Sequence, residues 1–169
     1  NLCPLRGAQV RDSLAWSKYL NHALHHYAGR VDVLMAQHHW PTWGTAQVQK
    51  FLTEQRDMYR VIHDQTVRMM NHGLKPAEIA EELRMPKSLG ALWHARGYYG
   101  SLSHNVKAVY QRYLSWYDAH PANLHALPPV PAAKKTIEYM GGIEAVLVKA
   151  QADLDKGEYR CVSEVMKHA

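Results

Sequence analysis

The chain has 169 residues, 47% of them hydrophobic, which suffices for one compact domain or for one domain and part of another. Its formal charge of +5 permits an anionic partner, but Lys and Arg are spread along the chain, so a solvated mixed surface is the simpler interpretation. Cys3 and Cys161 are too few and too distant for a disulfide framework. No apolar run reaches the roughly 20 residues of a membrane span.

The first part of the chain predicts a helix, a short strand and a loop. Apolar residues at three- and four-residue spacing predict a helix over residues 11–28, ended by Gly29. Residues 31–36 form an apolar run of strand length, and residues 37–44, with Pro and Gly, indicate a structured loop. Because a lone strand cannot form a sheet, it either joins a sheet from elsewhere or packs irregularly. We therefore expect the chain to be a piece of a longer protein.

The remainder of the chain predicts helices almost throughout, so the expected fold class is mostly α. The apolar spacing, the Gly and Pro breaks and the helix-opening prolines give these boundaries. The predicted helices cover 45–72, a segment opening at Pro76 and interrupted at Pro86, about 88–96, 102–118, 132–140, 142–155 and 158–168, with an extended Pro-rich connector at 120–131.

Adjacent histidines follow the predicted strand. An imidazole of His38 or His39, held by the neighbouring Trp and Pro residues, can present a nitrogen to a metal in a fixed direction. The alternative is a His pair satisfied by backbone groups in a surface loop. A zinc site needs three or four ligands, and no HxH, HExxH or Cys pair lies nearby. The other ligands would have to come from elsewhere.

A second group of polar side chains occupies the start of the predicted helix 102–118. Its first turns carry His104, Asn105 and Lys107, and a helix N-terminus with such side chains can bind a sulfate or phosphate. We expect His104, Lys107 and Tyr110 to face a common side. The alternative from the spacing alone is a buried helix whose tyrosines belong to the core.

Residues 74–93 imitate a helix-turn-helix, which would suit a nucleic-acid partner. The second of its helices, Leu89 to Trp93, is largely apolar, whereas a base-reading helix needs Arg, Lys, Asn or Gln on its exposed face. We therefore expect no nucleic-acid partner.

Motifs in collinear order along the whole chain resemble the zinc-dependent alkylsulfatases of the metallo-β-lactamase superfamily, the type that hydrolyses dodecyl sulfate. The motifs are Val10-Arg11-Asp12, Asp32-Val33-Leu34, His38-His39-Trp40-Pro41-Thr42-Trp43-Gly44, Gln55-Arg56-Asp57, Ile62-His63-Asp64-Gln65-Thr66, Arg96-Gly97-Tyr98-Tyr99-Gly100, Ser103 to Tyr113 and Pro121-Ala122-Asn123-Leu124.

The resemblance implies a helical alkylsulfatase dimerisation domain over 45–169, preceded by a short α/β remnant over 1–44 that ends a metallo-β-lactamase-like catalytic domain. It also implies a homodimer, a periplasmic or secreted location, and hydrolysis of alkyl sulfates to alcohol and inorganic sulfate by water activated on two zinc ions. The H-x-H-x-D-H zinc signature is absent from this chain, so the 169 residues alone should not assemble the zinc centre.

The resemblance also implies roles for individual residues. His38 is the expected zinc ligand and His39 the alternative. His104 and Tyr110 are expected to act in catalysis, and Tyr99, Asn105 and Lys107 to bind the alkyl sulfate. An inactive helical module that serves only for dimerisation is the alternative function.

Overall fold

The computed structural model describes all residues from 1 to 169 and is mostly α-helical, as predicted. It divides into two compact units, residues 1–118 and 119–169. The predicted domain boundary between residues 44 and 45 concerns the parts of a longer protein and stays a prediction. In chain order the elements are α1 Ser13–His26, β1 Val33–Ala36, β2 His39–Trp43, α2 Thr45–Asn71, α3 Pro76–Glu82, α4 Lys87–Gly90, a 3₁₀ turn Trp93–Ala95, α5 Leu102–Leu114, α6 Pro121–Leu124, α7 Pro129–Tyr139, α8 Ile143–Asp155 and α9 Tyr159–Met166.

The first helix begins at a side-chain cap and packs along α2. Asp12 Oδ1 accepts a hydrogen bond from the backbone N–H of Ala15 at 2.8 Å, which satisfies one of the free donors of the first turn. The rings of Trp16 and Tyr59 stack with centroids 4.7 Å apart and join α1 to α2. The predicted helix 11–28 is therefore confirmed, with slightly shorter ends.

Residues 33–43 form an antiparallel β-hairpin, so the loop predicted for 37–44 is wrong. Strand β2 pairs with β1, and Ala36 lies opposite His39 across the two-residue turn. Pro41 is tolerated inside β2 because both strands of a two-stranded sheet are edge strands. Gly44, with φ of 87°, ends the hairpin and donates its N–H to the Asp32 carbonyl at 2.7 Å. The short strand thus finds its partner within the chain.

Helices α2, α3 and α5 pack around one of the apolar core clusters of the first unit. One core cluster consists of Met69, Ile79, Leu83, Val106 and Tyr110. Ile79 and Val106 have no exposed surface, and burying an aliphatic side chain fully contributes about 1.5–3 kcal/mol.

A series of hydrogen-bonded side chains also connects α2 with α5. The His63 ring is 2.6 Å from Asp64 Oδ1 through Nδ1 and 2.7 Å from the Tyr113 hydroxyl through Nε2. Burial raises the pKa of Asp64, but hydrogen bonds from His63 and Arg60 and the charges of both groups outweigh it, so the pKa is lowered. Burial, followed by the charge of Asp12, raises the pKa of the Tyr113 hydroxyl.

Two helix boundaries differ from the prediction in the region before the second unit. Helix α5 ends at Leu114 rather than at 118, because Ser115 adopts φ of 66° and leaves the helical conformation. The predicted helix 88–96 is broken into α4 and the 3₁₀ turn. None of the helices combines the length and the apolar character that a membrane span requires.

The second unit consists of short helices around a small core. The three helices predicted for 132–140, 142–155 and 158–168 are confirmed as α7, α8 and α9, and α7 begins earlier, at Pro129. The connector expected to be extended includes the one-turn helix α6. Only Val146 and Ala150 of this unit are buried. Its exposed large apolar side chains are Leu124, Leu127, Val130, Tyr139, Ile143, Leu147, Val148, Leu154 and Tyr159.

Candidate functional site

A cleft of about 840 Å³ lies within the first unit. It is bounded by the segment 1–11, the hairpin turn at His38, one face of α2 and residues 90–105. Its volume falls in the range of small-molecule sites, which are usually concave and lined by apolar groups with a few polar ones.

The charged residues that line the cleft are all basic. Arg6, Arg11 and Arg96 contribute guanidinium groups, and no Asp or Glu lines the cleft. None of the three arginines forms an ion pair with a carboxylate. Arg11 donates to the Asn1 carbonyl at 2.7 Å and lies 5.9 Å from the centre of the Trp16 ring. A concave surface with unpaired positive charge of this kind attracts anions.

The rest of the lining includes an apolar wall from α1, α2, the segment before α4 and the start of α5. Its members are Trp16, Met58, Tyr59, Ile62, Met85 and Leu102. Burial raises the pKa of Tyr59, and the charge of Arg11 opposes this effect only partly, so the phenol stays protonated and neutral. The wall therefore adds apolar surface without negative charge.

The rim of the cleft between the 3₁₀ turn and α5 is an irregular loop, residues 95–101. The Tyr98 hydroxyl donates to the Trp93 carbonyl at 2.6 Å. A Cβ at Gly97 would lie 2.6 Å from the Gly100 carbonyl oxygen, so this position accepts only glycine. Tyr98 and Tyr99 are 72% and 70% exposed, and their phenols are accessible to a bound molecule.

Two asparagine side chains complete the polar part of the lining. Asn105 Oδ1 accepts from the Leu2 N–H at 2.8 Å, which leaves its amide nitrogen as a donor. The side-chain oxygen and nitrogen of Asn1 are buried and have no hydrogen-bond partner. Buried polar groups are nearly always paired, so the Asn1 amide is an exception within this chain.

Of the seven site residues predicted from the sequence, the structure brings three to this cleft, namely His38, Tyr99 and Asn105. His39 lies outside it. The His39 ring stacks on Phe51 at 5.3 Å and contacts Trp93 at 5.0 Å between ring centroids. Among the two histidines, His38 is the one whose ring is exposed at the cleft.

The other three predicted residues lie on α5 away from the cleft lining. His104 and Lys107 are exposed, and the His104 Nδ1 is 2.7 Å from the capping hydroxyl of Ser101. Tyr110 is buried in the core with Val106, so the expected common side with His104 is not seen. Six residues correspond to about 240° around a helix, which places the two side chains on different faces. The expected roles of His104 and Tyr110 in catalysis and of Lys107 in substrate binding stay predictions.

The sequence interpretation did not select Arg6, Arg11, Arg96 or His94 as site residues. They come from distant segments, and only the fold brings them to one cleft. A signal was present for two of them, since Arg11 stands in the motif Val10-Arg11-Asp12 and Arg96 opens the motif Arg96-Gly97-Tyr98-Tyr99-Gly100.

The chain does not hold a complete metal site. No group of three or more His, Cys, Asp or Glu side chains is arranged to bind an ion. Zinc sites use four protein ligands, or three protein ligands and a water molecule.

The chain is similar to a family model and to several alkylsulfatases of known sequence and structure. The family model described as alkyl sulfatase dimerisation matches residues 75–169. The chain is 57% identical over 166 residues to the alkyl/aryl-sulfatase BDS1 of Saccharomyces cerevisiae and 52% identical over 168 residues to a linear primary-alkylsulfatase of Pseudomonas. The chain belongs to the alkyl sulfatase dimerisation family.

A solved structure gives the same result for the fold. The stereoselective inverting sec-alkylsulfatase Pisa1 of Pseudomonas superposes with a TM-score of 0.96 and 47% sequence identity. The match covers 99% of this chain and 27% of that protein. The chain likewise spans 26% of the yeast protein and 25% of the linear primary-alkylsulfatase, while 98% and 99% of its own length are matched.

Proposed function

We propose that the chain is part of a zinc-dependent alkylsulfatase, in which water cleaves an alkyl sulfate to an alcohol and inorganic sulfate. In this proposal its residues line the substrate cleft and mediate dimerisation. The observation that carries the proposal is the cleft itself, which combines three arginines free of carboxylate partners with an apolar wall. An alkyl sulfate has the matching chemistry of an anionic head and an apolar tail.

The sulfate head would lie among the guanidinium groups and the polar rim. Arg96 and Tyr99 lie on the rim loop, and Arg6 lies in the segment that borders the cleft. Guanidinium groups donate two parallel hydrogen bonds to the oxygens of sulfate-like anions, and hydrogen bonds to charged oxygens are stronger than neutral ones. These groups would hold the head and stabilise charge on its oxygens.

The alkyl tail would lie against the apolar wall. Met58 and Met85 supply flexible side chains that adapt to tails of different shape. Each methylene removed from water contributes about 0.8 kcal/mol. Affinity should therefore rise with the length of the tail until the wall is covered.

We propose His38 as the one zinc ligand within this chain, because its ring is exposed at the cleft while the His39 ring is packed between aromatic side chains. The remaining ligands would lie outside these 169 residues. The chain's own contribution to the reaction is then to bind and orient the ester beside that ion.

The membership of the dimerisation family supports a homodimer. The second unit has many exposed apolar side chains and only two buried residues, which suits a surface covered by another chain. We propose that α7, α8 and α9 carry this contact, with Val148 of α8 as an exposed apolar residue in it.

The binding proposal is tested with short alkyl sulfates, which avoid the denaturing effect of dodecyl sulfate. Isothermal titration of the chain with octyl sulfate should show saturable one-to-one binding, and hexyl sulfate should bind about tenfold more weakly because it lacks two methylenes. Octyltrimethylammonium has a tail of the same length and the opposite charge. Equal binding of the cationic and anionic compounds would contradict the proposal.

The alternative is an inactive helical dimerisation module. The absence of a complete ligand group for a metal favours it for these residues taken alone. It predicts a dimer that does not bind octyl sulfate and a whole protein whose sulfate release is unaffected by substitutions in the cleft.

A further inference from the structure

One histidine of the cleft has both ring nitrogens engaged by α2. His94, in the 3₁₀ turn, has Nε2 2.9 Å from Glu54 Oε2 and Nδ1 2.9 Å from Gln55 Nε2. The His94 and Glu54 side chains are only 10% and 18% exposed. The His94 ring also contacts Phe51, with centroids 4.9 Å apart. The ring is therefore fixed in position as well as in orientation.

The two contacts define the tautomer. The amide nitrogen of Gln55 can only donate, so Nδ1 of His94 accepts and Nε2 carries the hydrogen that is donated to Glu54. Gln55 Nε2 also lies 3.4 Å from the His94 carbonyl oxygen. With neither nitrogen free, His94 cannot bind a metal or exchange a proton with a ligand while these contacts persist.

The residues that follow His94 are the rim loop of the cleft. Residues 94–102 all line it, and between Ala95 and Leu102 there is no helix or strand. The hydrogen bond from Tyr98 to Trp93 closes the loop on itself and does not connect it to α2. His94, through its ring and its carbonyl oxygen, is thus the residue at which the start of the loop is hydrogen-bonded to the long helix.

We propose that Glu54, His94 and Gln55 form a positioning cluster that orients Arg96 and Tyr99 toward the sulfate head of the substrate, an inference that rests on the proposed function. Arg96 is two residues from His94, so a small rotation of the 3₁₀ turn moves its guanidinium directly. Glu54 acts through His94 and does not line the main cleft itself.

The test compares two substitutions of the same carboxylate in the 169-residue chain. Glu54→Ala removes the acceptor of His94 and should weaken octyl sulfate binding about tenfold, the effect of losing one hydrogen bond to a charged group. Glu54→Gln keeps an acceptor oxygen and should restore affinity to within about threefold of the wild type, because a neutral acceptor is weaker than a charged one. Asp57→Ala, on the same helix, is the matched control and should leave binding unchanged.

Hydrogen exchange supplies a readout that a general loss of stability does not reproduce. In Glu54→Ala the amides of residues 95–101 should exchange at least tenfold faster, while those of α1 and of the second half of α2 keep their wild-type rates. A uniform acceleration throughout the first unit would overturn the proposal, as would binding by Glu54→Ala within twofold of the wild type. If the wild type fails to bind octyl sulfate, the proposed function fails, and the exchange of 95–101 still decides whether the cluster holds the loop.

Discussion

Replacing Arg96 by Gln tests whether the charge of the cleft holds the sulfate head. The substitution removes one of three lining guanidinium groups and leaves a shorter, neutral side chain that can still form hydrogen bonds. The Arg96 side chain is exposed and has no carboxylate partner, so its loss releases no buried charge and should leave the stability of the fold nearly unchanged.

The magnitude follows from the exposure of Arg96. Two unit charges about 4 Å apart interact by about 1 kcal/mol in water and by about 4 kcal/mol near a protein surface of lower effective dielectric constant. Since Arg96 lies on an exposed rim, the lower part of this range applies, about 1–2 kcal/mol. Octyl sulfate should therefore bind about 5- to 30-fold more weakly to Arg96→Gln.

The assay is isothermal titration at about 0.15 M salt and again at about 1 M, where the screening length falls from about 8 Å to about 3 Å. The wild-type affinity should fall with salt, and the difference between wild type and Arg96→Gln should shrink. Arg30→Gln removes the same charge from an exposed residue that does not line the cleft. Equal affinity of Arg96→Gln and wild type would refute the reasoning, and so would an equal loss in Arg30→Gln, since binding would then depend on net charge alone.

Three further predictions concern stability, assembly and metal binding. The pKa of Asp64 is lowered in the folded state, so its contribution to the free energy of unfolding is complete well above pH 3.8 and is lost as the pH falls through the folded-state pKa. In urea, wild type should therefore be more stable than Asp64→Asn by under about 1 kcal/mol, since this group is partly exposed. The difference should vanish in acid. A constant difference down to pH 2 would contradict this assignment. Val148→Lys should lower the molar mass measured by light scattering at micromolar concentration from that of a dimer to that of a monomer. Gln111→Lys on α5 is the control and should remain a dimer. If both variants remain dimers, the contact lies elsewhere. In the whole protein, His38→Ala should lower the zinc content measured by mass spectrometry while His39→Ala keeps it, and the reverse result would make His39 the ligand.

The helices were predictable from the sequence because their signals are local. Asp12 before α1, Pro76 at the start of α3 and Gly73 after α2 each act on the backbone of neighbouring residues. The hairpin was missed because its turn, Gln37-His38, lacks the Gly or Asn typical of two-residue turns and because Pro41 argued against a strand.

The site was only partly predictable, since the cleft depends on contacts between distant segments. His38 and Tyr99 stand in motifs that pointed to them, but Arg6 stands in none, and only the folded chain brings it to the cleft that Arg96 lines. Tyr110 is a residue type that can act at a sulfate site, and it stands in a polar motif. Its position on α5 nevertheless buries its side chain in the core. Spacing along one helix indicates which face a residue shares but not what that face contacts.

The hairpin also has a mechanical consequence for His38. The turn that carries His38 lies six residues from Gly44, where β2 joins α2. At about 3.3 Å per residue, His38 therefore lies about 20 Å from that junction. A rotation of 10° at Gly44 would move the imidazole by about 3.5 Å, more than the length of a metal–nitrogen bond of about 2 Å. The His39 ring is packed between Phe51 and Trp93 next to the turn. This contact restrains the hairpin where the displacement would be largest. Weakening that aromatic contact should therefore reduce the precision with which the neighbouring His38 is presented.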